Sequence, residues 1–220
     1  MYATIADARA EGVTPAQADD ARLGGLLEDA GRTIDGLLGW WFEPRPRALR
    51  LDGRGTPSLE PPVPPLRLDL LALDAPGSGV LERLPLGPGE LAVAGAPVGP
   101  GFTAPRLTLR GGRRFPRGDG NVLAEGLWGY TEADGTPLGR TPAAIKRATL
   151  LLVTRRLTPV GLAGAFDDPE TRGRVVRVKT RDQEVEFAPP AAGARPIATG
   201  DAEIDRLLAP YSRPSGLGAA

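Results

Sequence analysis

The chain changes texture twice, and those changes constrain its architecture more than any other feature. Over 14–41, Leu23, Leu27, Ala30, Ile34, Leu37 and Trp41 recur at spacings of four, three, four, three and four. That is the repeat of one apolar helix face. Thr14, Pro15 and Gln17 supply a capping-box start with proline at the first helical position. Asp19, Asp20, Glu28, Asp29 and Asp35 fill much of the remaining surface. A shorter helical turn is expected at 5–9, after Thr4.

From Pro44 the helical repeat stops. Short apolar runs at 48–51, 66–73, 91–93, 107–109 and 122–127 are separated by glycine and proline, and Asp-Gly pairs stand at 52–53, 119–120 and 134–135. Asp-Gly pairs are turn signals, so 44–137 reads as an antiparallel β subdomain. Pro61, Pro62, Pro64 and Pro65 suit a stiff extended connector. Helix returns over 141–157, with Thr141 as N-cap, Pro142 at the first position and an apolar face of Ile145, Ala148, Thr149, Leu152 and Val153. A hairpin follows, with Val175, Val176 and Val178 on one arm, a turn at 180–183, and Val185 and Phe187 on the other. Residues 188–200, rich in Pro, Ala and Gly, read as a flexible linker. A short amphipathic segment over 201–209 comes last.

The expected fold class is α+β: a small helical bundle with an inserted antiparallel β-rich subdomain and an extended C-terminal arm. The helical core would comprise 1–43 and 138–187 with the hairpin, the insertion 44–137, and the linker and docking arm 188–220. A chain of 220 residues can bury a core without disulfides or metals.

Chemistry is limited by what the chain lacks. It has no cysteine and no histidine, which removes thiol chemistry, the commonest general base and the commonest metal ligand. Lys+Arg and Asp+Glu both number 27, so there is no basic excess of the kind that tight nucleic-acid binding needs. No apolar run is long enough to span a bilayer, and the N-terminus lacks a signal-peptide pattern, so a soluble, unsecreted chain with no membrane partner is expected. The glycine pairs at 87/89, 99/101 and 118/120 complete no G-x-G-x-x-G pattern. Arg117-Gly118-Asp119 matches an adhesion tripeptide by chance, and Ser78 lacks the spacing of a nucleophile elbow. Asp167/Asp168 and the set Asp201, Glu203 and Asp205 are paired carboxylates, but they read as loop and helix-start residues. Trp128 and Tyr130 read as core or interface aromatics, with a sugar-stacking platform as the alternative. No catalytic residue, metal or cofactor is expected.

Charge is segregated along the chain. Residues 1–43 carry eight acids and three bases, while no acid interrupts Arg106, Arg110, Arg113, Arg114 and Arg117. Asp19, Asp20, Glu28 and Asp29 on one side and those arginines on the other are candidate complementary surfaces between identical subunits. Near the C-terminus Ile204, Leu207, Leu208 and Tyr211 form a small apolar face. A helix of about nine residues is marginal alone in water, so these four are candidates for docking on a partner.

Several of these segments, in order, resemble the head–tail connector (adaptor) family of long-tailed phages and gene-transfer particles. They are Tyr2-Ala3-Thr4-Ile5-Ala6-Asp7, the helix ending in Gly39-Trp40-Trp41-Phe42, and Leu49-Arg50-Leu51-Asp52-Gly53. Next come Asn121-Val122, Gly126-Leu127-Trp128-Gly129-Tyr130 and Pro142-Ala143-Ala144-Ile145-Lys146-Arg147-Ala148. The last runs from Gly200-Asp201-Ala202-Glu203-Ile204-Asp205 to Arg206-Leu207-Leu208-Ala209-Pro210-Tyr211. The resemblance implies a ring, usually of twelve copies, beneath the portal protein and above a neck or tail completion protein, with DNA passing through. It implies a virion location, with assembly in the host cytoplasm, and no catalytic residues. Two other classes stand beside it: a carbohydrate- or surface-binding β module using Trp128 and Tyr130, and a carboxylate-dependent hydrolase using Asp167.

Overall fold

The computed structural model describes residues 1–74, 79–85, 87, 89–97, 105–157, 175–179, 184–187 and 199–212. The chain divides into two units, Met1–Gly39 with Ala143–Ala220, and Trp40–Pro142.

In the first unit, Thr4 opens helix α1, Ile5–Ala10, with a reciprocal capping box. The Asp7 amide donates to Thr4 Oγ1 at 3.1 Å, and the Thr4 amide donates to Asp7 Oδ2 at 2.8 Å. Helix α2 is Asp20–Leu38 and starts later than expected. Thr14 and Gln17 do bond each other, the Thr14 amide donating to Gln17 Oε1 at 2.8 Å, but they close only a turn. The true cap is Asp19, extended at φ −66°, ψ 172°, whose carboxylate accepts the Arg22 amide at 2.7 Å. An Asp that can bond the backbone in an extended conformation competes with helix continuation. At the other end Gly39 takes a left-handed φ of 75° and ends the helix. Trp41 therefore lies outside it, and Leu38 replaces Leu37 on the apolar face. Leu38 is buried, whereas Leu37 is 39% exposed.

Helix α3, Ala143–Leu157, packs against α2, as their apolar faces required. Leu150 and Val153 join Leu23, Leu27 and Ala30 in one core cluster with residues of α1. The consecutive residues Ala148, Thr149, Leu150 and Leu151 are all buried, so α3 is covered over more than the single face expected. The second cover is helix α4, Ala202–Leu208, followed by a 3-10 turn over Ala209–Tyr211. The C-terminal segment is therefore no extended arm over 199–212. It folds onto its own unit, because Ile204 and Leu208 find an apolar surface on α3 that a single-face reading of that helix hid.

Among the described residues the second unit has seven strands: β1 Arg45–Gly53, β2 Ser58–Leu59, β3 Pro65–Asp74, β4 Leu81–Arg83, β5 Leu91–Ala94, β6 Arg106–Leu109 and β7 Gly118–Trp128. They form antiparallel sheets in the orders β1-β7-β3-β4 and β2-β6-β5. Two of the Asp-Gly pairs are not hairpin turns. Asp52-Gly53 ends β1 opposite Gly118, where the register slips. Asp52 Oδ1 accepts the Gly120 amide at 2.7 Å, and Asn121 Oδ1 accepts the Gly53 amide at 2.8 Å. Their side chains thus stitch an irregular strand end where the ladder fails. In central strand β7, a Cβ on Gly126 would meet the Arg67 carbonyl oxygen at 2.0 Å. Only glycine fits where β3 crosses so closely.

The hairpin β8 Val175–Lys179 with β9 Glu184–Phe187 is antiparallel and falls in the first unit. Its expected turn at 180–183, and 188–198 of the expected linker, lie outside the described residues. The units divide after Gly39 and after Pro142, where the sequence suggested 43 and 137.

Candidate assembly surfaces

The two tryptophan-bearing motifs meet at the root of the second unit. Trp41 Nε1 donates to the Trp128 carbonyl at 2.7 Å, and the Tyr130 amide donates to the Trp41 carbonyl at 2.8 Å. Trp128 is fully buried, with its Nε1 donating to the Arg47 carbonyl at 3.1 Å. Tyr130 lies 5.3 Å from Trp40 and 5.7 Å from Phe42, ring centre to ring centre. Burial, with the Glu132 charge, pushes its phenol pKa upward. Thr141, expected to cap α3, donates its hydroxyl to the Phe42 carbonyl at 2.9 Å. The chain is thus stapled where it enters and leaves this unit. Trp128 and Tyr130 are core residues, and a sugar-stacking platform built on them is ruled out by their burial.

The acids of α2 are exposed but occupied. Asp19 caps the helix, and Asp20 pairs with Arg9 at 2.6 Å. Glu28 pairs with Arg32, and Asp29 with Arg156 at 3.4 Å. Lys146 donates to Asp7 at 2.7 Å, and this contact, with the Thr4 amide and hydroxyl, holds the Asp7 pKa at about 2. Surface pairs of this kind contribute little stability each. They do leave the acids less to gain from a neighbour's arginines.

The five arginines expected at a subunit contact divide into two sets. Arg106 pairs with Glu60 at 3.3 Å, and Arg113 reaches Glu90 at 3.4 Å and the Pro85 carbonyl at 3.0 Å. Arg110, Arg114 and Arg117 are exposed and have no ion pair among the described residues. Arg114 Nη1 donates to the Gly55 carbonyl at 3.3 Å, which brings in Arg50 and Arg54 from the end of β1. Sequence reading missed those two, because the contact between 50–56 and 114–120 is long-range and no local pattern signals it.

Of the four C-terminal docking candidates, Ile204 and Leu208 are buried at 1% and 0% exposure, while Leu207 and Tyr211 are half-buried. Burying the first pair inside their own unit corrects the expectation that they face a partner. Asp201 fastens the helix start: Oδ1 accepts the Glu203 and Ile204 amides, and Oδ2 accepts Arg155 Nε at 3.0 Å. Burial pushes the Asp201 pKa up, but Arg155 and the two amides outweigh it and hold it below the usual carboxylate value. Asp205 accepts the Thr199 hydroxyl at 2.6 Å. The carboxylates of this segment are therefore structural. Asp167, Asp168 and Ser78 lie outside the described residues.

Among solved structures, the chain is similar over 99% of its length to a chain in the neck of an empty GTA (gene transfer agent) particle computed with C6 symmetry. The match covers 93% of that chain, at a TM-score of 0.56 and 18% sequence identity. The two chains share a fold. Identity this low shows the α+β architecture and leaves function to be argued. No protein-family model and no curated protein matches the sequence.

Proposed function

We propose that this chain is a structural head–tail connector (adaptor) subunit, forming a ring between the portal and a neck or tail completion protein of a phage-type particle, with DNA passing through the channel. The observation that carries the reading is the fold match to a particle-neck chain over nearly the whole of both chains. A chance likeness or a shared single domain would cover one unit, whereas this match takes in both. It agrees with the motif order from Tyr2 to Tyr211 that resembles the connector family. The particle neck was computed with C6 symmetry, and twelve copies are compatible with sixfold symmetry as two per repeat. Closed cyclic assembly is the ordinary solution for such a passage.

The chemistry of the chain fits a passive conduit. Balanced charge avoids the strong phosphate attraction that would hold DNA in place. The role is structural rather than enzymatic, located in the virion and assembled in the host cytoplasm. Electron microscopy of the particle neck tests it: a closed ring whose density fits both units supports the reading, and a neck without this subunit overturns it. A carbohydrate-binding β module loses its proposed residues to the core.

A further inference from the structure

We propose that Arg50, Arg54, Arg114 and Arg117 form a phosphate-contacting surface, through which the second unit touches the backbone of duplex DNA weakly and without reading sequence. The four come from two segments that are clasped together. The Phe115 amide donates to the Thr56 carbonyl at 2.9 Å, and the Phe115 ring is fully buried beneath the loop. Arg114 Nη1 reaches the Gly55 carbonyl at 3.3 Å, and Arg50 Nη1 reaches the Gly120 carbonyl at 3.5 Å. A Cβ on Gly53 would meet the Pro116 carbonyl oxygen at 1.9 Å, so the two backbones touch where only glycine fits. The arginines therefore project from a fixed platform.

All four are exposed, and none has an ion pair among the described residues. Their acidic neighbours in sequence are Asp52 and Asp119. Asp52 is engaged with the Gly120 amide, and the surface keeps a local excess of two positive charges. Arg45, Arg67, Arg106 and Arg113 each pair with an acid of their own unit, whereas Arg47, Arg83 and Arg110, outside these two segments, have no ion pair among the described residues. Four unpaired arginines thus fall within the two clasped segments where the end of β1 meets the start of β7.

The choice of polyanion over protein rests on what surrounds the arginines. Stable protein interfaces are centred on buried aromatic or aliphatic anchors. The large apolar side chains exposed among the described residues are Met1, Leu37, Val80 and Val93, and none lies in these two segments. Guanidinium groups without an apolar centre suit phosphate oxygens, which they can grip with paired donors. A chain of balanced charge keeps such contact weak and salt-labile.

The inference adds a DNA contact to the connector reading but is tested on the isolated full chain, so either can fail alone. Fluorescence anisotropy with a labelled DNA duplex, from about 50 to about 200 mM salt, reads the affinity and its salt slope. The expected slope of log K against log salt is roughly −2 to −4, at about 0.9 per phosphate contact. Arg54→Ala with Arg117→Ala removes side chains that make no hydrogen bond among the described residues. That pair should weaken binding about tenfold or more at low salt and flatten the slope by roughly 2. Arg106→Ala, which removes a charge already paired with Glu60, should leave binding unchanged. An unaltered denaturation midpoint confirms that each variant is folded. The proposal is overturned by absence of binding at about 50 mM salt, where counterion release is strongest, or by a double variant that binds like the parent. It is equally overturned if polyglutamate binds as tightly as DNA and loses affinity in the same variant, which would assign the surface to an acidic protein.

Discussion

The Trp41 indole N–H and the Trp128 carbonyl oxygen meet at 2.7 Å across 87 positions of sequence, and this bond ties the start of the second unit to the end of its central strand. Trp41→Phe keeps an aromatic ring but leaves that carbonyl without its donor. The loss should cost about 1–3 kcal/mol, the penalty for a partly buried group deprived of its partner. Denaturation followed by near-UV circular dichroism measures it. An unchanged midpoint would show that the bond does not hold the unit together.

Leu27 is fully buried where α1, α2 and α3 meet. Leu27→Ala should therefore cost on the order of 2–5 kcal/mol, as truncations of well-packed leucines do. Leu37→Ala is the matched control, since Leu37 is 39% exposed. Equal midpoints for the two variants would contradict the assignment of the helix face.

Asp7 gives the first unit an acid-sensitive contact. Its folded pKa is held at about 2, below the ordinary carboxylate value of 3.8, first by Lys146 and then by the Thr4 amide and hydroxyl. A depressed carboxylate pKa contributes stability at neutral pH that is lost as pH falls through that window. Asp7→Asn should be less stable than the parent at pH 7 and should lose less stability between about pH 4 and about pH 2. Parallel pH profiles for parent and variant would remove Asp7 from the account.

The C-terminal helix should behave as part of the core. Leu208 is fully buried and Asp201 is pinned by Arg155. Leu208→Ala should lower the stability of the isolated chain by about 2–5 kcal/mol, and deleting 201–220 should lower its melting temperature. A truncated chain that melts like the parent would restore a free arm.

The helices and most strands were legible in the sequence because their signals are local. Apolar spacing of three and four marks α2 and α3, and glycine- and proline-bounded runs mark β1, β3, β5, β6 and β7. What failed depended on long-range contact or on competition between caps. Thr14 and Asp19 both carry capping signals, and only the extended backbone at Asp19 decides between them. Asp52-Gly53 has a turn composition, yet Asn121 and Gly120 draw it into a strand end. Ile204 and Leu208 looked like an unpartnered face because nothing in the spacing of α3 announced a second apolar surface. The arginine cluster was half visible: Arg114 and Arg117 stood out as a run, while Arg50 and Arg54 join them only through the fold.

Native mass spectrometry of the chain mixed with the portal protein of its own particle tests the connector reading most directly. The account predicts a closed ring seated on the portal, adding roughly 276 kDa for twelve chains of 23.0 kDa. A chain that stays at 23.0 kDa beside an assembled portal would contradict it.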